Sequence, residues 1–486
     1  MNTGEDDMTM LLSRRTFAAA ASLLPLACTN PGTAALGTSS APAGPNPAGP
    51  INPLVRQRAD TQIFRHDDGF YYMMGSVPEY DRLALRRSKT IAGLANAEER
   101  VLWRHEATGP MSGFLWAPEL HLIDGRWIVY FAAGPSGGGE DVFRIRTFAV
   151  VCDGPDPMTG NWSVLGQFKA PWDSFNLDST VFTHRGVRYF SWAQREPGIE
   201  TNSNVYIAPM KDALTLAAAP ARLTVPTLDW EVRGYKVNEG SAFIVKNGRL
   251  FMTYSASATD ARYCLGLLSV DETANIMDPR AWTKSQQPVF VTCRETSVYG
   301  PGHNSFTKDE QGNDILVYHG RDYEAIEGDP LYNPDRDTRT QRLYFGADGN
   351  PDFGVPVGNG PLPERFAPAV KRGANLVLEG ERLKIGSGPI EQTQFRSWPA
   401  DDGTVQVSPI MKPDQCLVAA ADGTVTLAPR TATGGAPGAD RFSREAAKGG
   451  AVRFVSKAFS GKALAHSSDN VRLAAAADPA SAWLPG

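Results

Sequence analysis

The chain has 486 residues, enough for two or three domains, and 42% of them are hydrophobic, so it can bury a core. Its net charge is −5 and it carries no basic tract, which argues against nucleic acid and anionic membrane surfaces as partners. Gly (47) and Pro (36) are frequent, as a loop-rich all-β protein requires.

The first segment reads as an address. Ser13-Arg14-Arg15-Thr16-Phe17 is a twin-arginine pattern. The apolar stretch from Phe17 to Ala27 is too short to span a bilayer, which takes ~20 residues. Together they resemble a signal for export of proteins that fold before crossing the membrane. Cys28 ends Leu24-Pro25-Leu26-Ala27-Cys28, which resembles a lipoprotein cleavage box except for Pro25. Residues 1–28 are thus read as the signal. Lipid anchoring through Cys28 and cleavage further along the Ala-rich stretch both stay open, so the product is periplasmic, membrane-anchored or secreted. Residues 29–50 hold almost nothing apolar of any size and read as a disordered tether. Cys152, Cys264, Cys293 and Cys416 are far apart, lack metal-ligand spacing and read as buried free thiols, with a disulfide left open.

Residues 51–356 carry a repeat. A turn with Gly followed by strand-forming residues recurs at Asp68-Gly69, Asp124-Gly125, Arg185-Gly186, Asn247-Gly248 and Gly312-Asn313. The glycines are 56, 61, 62 and 64 residues apart. Such hairpins at nearly even spacing predict a five-bladed β-propeller of antiparallel blades, with a two-sheet sandwich as the runner-up. In a propeller the first strand of each blade lines the axis. Asp60, Asp178, Glu239 and His303 stand eight or nine residues before their glycines, and Glu119 stands six before Gly125. The reading is therefore one ionisable group per blade in a central pocket. Carboxylates crowded among apolar neighbours such as Leu177 and Phe114-Leu115-Trp116 shift one another's pKa, as acid–base chemistry needs.

Arg58-Ala59-Asp60, Trp116-Ala117-Pro118-Glu119-Leu120-His121, Leu177-Asp178-Ser179-Thr180, Val237-Asn238-Glu239-Gly240, Tyr299-Gly300-Pro301-Gly302-His303 and Asp329-Pro330-Leu331-Tyr332-Asn333-Pro334 resemble, in this order, glycoside hydrolase family 43. The resemblance implies an inverting glycosidase. Asp60 would be the general base that activates water, Glu239 the general acid and Asp178 the carboxylate that orients the acid. Inversion leaves room for a water, so the two catalytic carboxyls are expected ~6.5–9.5 Å apart. His303 is similar to an axial histidine near calcium or another cation in the central channel. No organic cofactor is implied. Phe114 and Trp116 would wall a sugar ring, Glu119 would face the same pocket, and Arg339 would either bind substrate hydroxyls or hold the loop closing the ring. The stretch Trp116–His121 and the frame of Arg336, Arg339 and Gln341 resemble the exo-acting α-L-arabinofuranosidases of the family, which act on plant cell-wall arabinan or arabinose-decorated xylan.

After Pro356 the composition changes. Val357–Pro363 reads as a linker, and residues 364–486 contain three similar β-units, from Asn375 to Arg396, Val405 to Ser443 and Val452 to Leu484. Three such units predict a β-trefoil. It resembles the arabinose-binding carbohydrate-binding module family 42, in which a histidine and a later aspartate contact the sugar. The third unit keeps both, as His466 and Asp478, whereas the second has Ala420 in place of the histidine.

The alternatives on the same fold are β-xylosidase and endo-arabinanase. A non-catalytic sugar-binding lipoprotein is disfavoured because a binder has no use for an inverting pair. A retaining fructan-type enzyme is disfavoured because no Asn-Asp-Pro-Asn-type segment lies near the start.

Overall fold

The computed structural model describes residues 49–136, 141–371, 373–431 and 436–486. The signal, Cys28 and residues 29–48 of the tether lie outside the described residues. Apart from short single-turn 3-10 helices, the described elements are strands.

Five meandering antiparallel sheets form a five-bladed β-propeller. Their innermost strands are Ala59–Arg65, Gly113–Ile123, Asn176–His184, Asn238–Lys246 and Tyr299–Lys308. The glycines at 69, 125, 186, 248 and 312 all have φ between +74° and +86°, the left-handed region that admits Gly without Cβ strain. In blades two to four the preceding Asp124, Arg185 and Asn247 are left-handed as well. These are two-residue hairpins, whose twist matches that of the flanking strands. Aromatic rings bind neighbouring blades, with Phe182 stacked on Phe243 at 3.8 Å and Tyr130 against Phe190 at 5.1 Å. Burying each such ring contributes about 1.5–3 kcal/mol.

The fifth blade has three strands of its own. Its outer strand, Asp337–Arg342, is joined by the start of the described chain. Leu54 N–H donates to the Thr338 carbonyl at 2.8 Å, and Thr338 N–H to that of Val55 at 2.9 Å. Buried Asn52 donates to the carbonyls of Thr340 and Val357 and accepts from Thr340 N–H. The ring is thus closed by hydrogen bonds between its two ends. Residues 357–363, expected to be a linker, belong to this closure instead. Val357 is fully buried, and Gly360–Pro361 pairs with Ile51–Asn52.

Beyond residue 363 six strands pair in a closed circuit: Glu364–Pro368, Gln394–Pro399, Val405–Pro409, Phe442–Ala446, Val452–Ser456 and Trp483–Pro485, which returns to the first. Between successive pairs lie three hairpins, Asn375–Gly386, Gln415–Pro429 and Lys462–Ala475. Phe366, Phe395, Phe442, Phe454 and Trp483 fill the space inside. Arg396 secures this part to the propeller by donating to the carbonyls of Gly358 and Asn359. Cys152, Cys264, Cys293 and Cys416 are buried and free.

Candidate active site

Each innermost strand is broken by a β-bulge at one level, where the pairing register shifts. The left-handed residues there are Asp60 (φ 54°), Ala117 (44°), Asp178 (51°), Gly240 (57°) and His303 (42°). A bulge turns a side chain away from the pleat. Left-handed φ in a residue with a Cβ is a strain that concentrates at functional sites, and Asp tolerates it better than most residues. Asp60, Asp178 and His303 therefore point into one depression, which Glu239 enters from the position before Gly240.

That depression is a cavity of about 250 Å³ lined by Asp60, Asp178, Glu239, His303, Trp116 and Arg336, with Tyr263, Phe175, Leu177 and Leu331 among its other walls. Three expected members are elsewhere. Glu119 stands two residues past the bulge, because Ala117 occupies the matching phase in blade two. Its carboxylate meets His121 Nε2 at 3.0 Å and Gln62 Nε2 at 3.4 Å, and it is not among the groups that line the cavity. Phe114 packs edge-on behind Trp116, 5.3 Å away, and does not form the wall itself. Arg339 is fully buried against Asp322 and the carbonyls of Gly320 and Val357, so it holds the ring closure and does not reach the sugar pocket. Arg336, three residues earlier, takes that place: its Nη1 is 3.4 Å from Asp60 Oδ1 and its Nη2 is 2.9 Å from Tyr80 Oη.

The three carboxyls sit in different fields. Burial pushes the Asp60 carboxyl up, but Arg336, His303 and His319 together outweigh it and hold it well below the usual carboxylate range. Ser76 donates to its Oδ2 at 2.7 Å, while Ser76 Oγ accepts from Ala117 N–H, so the hydroxyl proton is aimed at Asp60. Around Asp178 the balance is reversed, with Arg336 opposing too weakly. Burial raises its carboxyl, and the charges of Glu239, Asp60 and Glu119 raise it further. Glu239 is pushed up to about 7, by burial first and by Asp60 in addition, against the opposing hydrogen bond from Tyr263 and the charge of Arg336. One carboxylate is thus kept ionised and a second kept protonated near neutrality, the division that one base and one acid require.

His303 Nδ1 lies 3.3 Å from Asp60 Oδ1 and 3.7 Å from Asp178 Oδ2. Burial pulls its pKa down, against Asp60 and Glu119. Calcium takes six to eight oxygen ligands. Among the described residues no group of three or more His, Cys, Asp or Glu side chains is disposed to hold a metal, so a cation beside His303 would draw its other ligands from water or carbonyl oxygens.

Sequence reasoning missed Ser76, Tyr80, Tyr263 and His319. They lie outside the bulge positions, and the repeat frame gives no signal for them. Arg336 stood in the right stretch, directly before the strand Asp337–Arg342.

The profile of Glycosyl hydrolases family 43 matches residues 50–351. An extracellular exo-alpha-(1->5)-L-arabinofuranosidase of Streptomyces avermitilis is 50% identical over 330 residues, 68% of each chain. Alpha-L-arabinofuranosidase 43 of Humicola insolens is 48% identical over 355 residues, 71% of this chain and 73% of its own. The crystal structure of an alpha-L-arabinofuranosidase from Lactobacillus brevis superposes with a TM-score of 0.62 at 48% identity, covering 64% of this chain and 98% of its own. The chain is a glycoside hydrolase and belongs to family 43.

Proposed function

We propose that this enzyme removes terminal α-L-arabinofuranosyl residues from arabinan or arabinose-decorated xylan, with inversion. The carrying observation is the pair of opposed protonation states in one small pocket: Asp60 ionised beside Arg336, and Glu239 protonated near neutrality. The relatives named above as arabinofuranosidases support the choice of sugar.

In the proposed reaction Asp60 takes a proton from water as the water oxygen attacks the anomeric carbon. The bond to the glycosidic oxygen breaks, and that oxygen takes the Glu239 proton. Asp60 leaves with the water proton and Glu239 as a carboxylate, and exchange with solvent resets both. Asp178, whose own carboxyl the charge of Glu239 raises, is assigned to orient the acid. Trp116 lines the cavity and offers its ring as an apolar wall for the sugar. A cavity of about 250 Å³ suits a single terminal pentose, which favours exo over endo action. The test is hydrolysis of 4-nitrophenyl α-L-arabinofuranoside against the β-D-xyloside, with proton NMR of the first sugar released. Inversion releases the β anomer of arabinose. Early α anomer, or preference for the xyloside, would overturn the reading.

We also propose export by the twin-arginine route, with Cys28 as a lipid anchor. Residues 364–486 are proposed to be a β-trefoil with one arabinose site. The six-strand circuit with three hairpins supports the trefoil. His466 supports the site by its place in the third hairpin, Lys462–Ala475, where its ring packs edge-on to Trp483. Asp478 lends one oxygen to Ala480 N–H, and burial, with Lys371 second, lowers the His466 pKa against the charge of Asp478 and a backbone hydrogen bond to Ser468.

A further inference from the structure

We propose that Tyr263 is the positioning residue for the proton donor, fixing through a one-way chain of hydrogen bonds which oxygen of Glu239 carries the proton. The proposal rests on the assignment of Glu239 as the acid.

The chain begins at a group with only one role. The backbone N–H of His303 can only donate, and it donates to Ser255 Oγ at 2.7 Å. The Ser255 hydroxyl proton is then free to turn toward Tyr263, whose phenol Ser255 lowers in pKa, the direction a proton aimed at the phenol oxygen gives. With its oxygen so engaged, Tyr263 turns its own proton to Glu239 Oε1, 2.8 Å away. Oε1 is thereby an acceptor, and the proton of neutral Glu239 resides on Oε2, the oxygen left for the leaving group.

Packing makes this arrangement unique. Tyr263 is buried, with its ring stacked on His319 at 5.6 Å and an interplanar angle of 5°. Its other side needs Gly302, where a Cβ would lie 2.3 Å from the Tyr263 ring. His319 Nδ1 accepts the backbone N–H of Asp60 at 3.1 Å. One pair of stacked rings thus braces the acid on one side and the base on the other. The charged and titratable groups around the acid are Asp60 of blade one, Asp178 of blade three, and His303, His319 and Arg336 of blade five. Burial, with the charge of Glu239 second, lifts the Tyr263 phenol well above its usual range, so it remains a donor throughout the working pH.

The test is Tyr263→Phe in the full chain, which keeps the ring and removes the proton. Turnover of an α-1,5-linked arabino-oligosaccharide should fall at least about tenfold, a fraction of what a general acid supplies, with little change in KM. The 4-nitrophenyl arabinofuranoside, whose leaving group needs less protonation, should lose much less. The alkaline limb of kcat/KM should move upward, because a donor that favoured the Glu239 carboxylate is gone. Ser255→Ala, which frees the Tyr263 proton to turn away, should give the same pattern more weakly, and it decides the matter if Tyr263→Phe does not fold. Equal losses on both substrates with an unmoved alkaline limb would reduce Tyr263 to packing, and unchanged kinetics would remove it from the site. If Glu239→Gln itself treats both substrates alike, the acid assignment has failed, a result distinct from failure of Tyr263 alone.

Discussion

At the residue scale, catalysis here depends on making similar carboxyls unequal. Burial acts on both Asp60 and Glu239, and the neighbours decide the outcome: a guanidinium and two imidazoles around Asp60, and on Glu239 a phenol and the more weakly felt guanidinium, opposed by the charge of Asp60. Glu239→Gln should cut turnover of oligosaccharides by about 10²–10⁴-fold, the usual worth of a general acid, and activated aryl glycosides by far less. Asp60→Asn should damage both classes alike, since water must be activated in either case. Steady-state kinetics on the paired substrates checks this, and equal losses in Glu239→Gln would move the acid role elsewhere. The pH profile follows with its sign. The reactive form needs Glu239 protonated, so kcat/KM should fall as pH rises through about 7. Asp60 stays ionised to well below its ordinary pKa, so the acid limb should lie far from neutrality. A bell with its alkaline limb two units higher would mean that Glu239 is not the group titrating.

At the element scale, the five hairpin glycines could be read from the sequence because a positive φ demands Gly almost by itself. Asp60, Asp178 and His303 could be placed because they share one phase relative to those turns. Glu119 was misplaced by the same reasoning. A bulge adds a residue without a compositional mark, and Ala117, which fills the phase in blade two, carries no charge to notice. Arg336, Tyr263 and His319 come from or beside second and third strands, whose spacing from the turns varies with loop length. Closure of the ring was equally hidden, since pairing of residues 51–55 with blade five and with residues 360–361 is contact across nearly the whole repeat. It gives a prediction of its own. Asn52→Ala removes a side chain making three buried hydrogen bonds, takes that partner from the Thr340 N–H and carbonyl, and leaves the Val357 carbonyl with Arg339. The loss should be about 2–4 kcal/mol, from an unsatisfied-group cost of about 1–3 kcal/mol each with some recovery by water. Denaturant unfolding measures it, and an unchanged midpoint would show that the ring closes without this clamp.

At the scale of the whole molecule, the propeller holds the chemistry and residues 364–486 are proposed to hold the polymer. If His466 contacts arabinose, His466→Ala in the full chain should abolish retardation in a native gel containing soluble arabinan. It should lower activity on insoluble arabinose-bearing polysaccharide severalfold and leave 4-nitrophenyl arabinofuranoside unaffected, because tethering raises only the local concentration of substrate. Equal migration of the unaltered enzyme with and without arabinan would sink the binding site and leave this part a packing partner of the propeller.

The base and its guanidinium partner are 276 residues apart in sequence. At synthesis rates of ~5–20 residues per second, Asp60 leaves the ribosome roughly 15–55 s before Arg336 does. For that interval the growing chain is an arc of blades with an unpaired sheet edge at its front, the kind of surface that invites strand addition from another chain. Throughout it the carboxyl of Asp60 also lacks the guanidinium that faces it in the finished pocket. Hydrolytic activity would therefore switch on in one step, when the last blade docks against the first. A nascent or truncated chain would be inert toward sugars and would depend on chaperones until then.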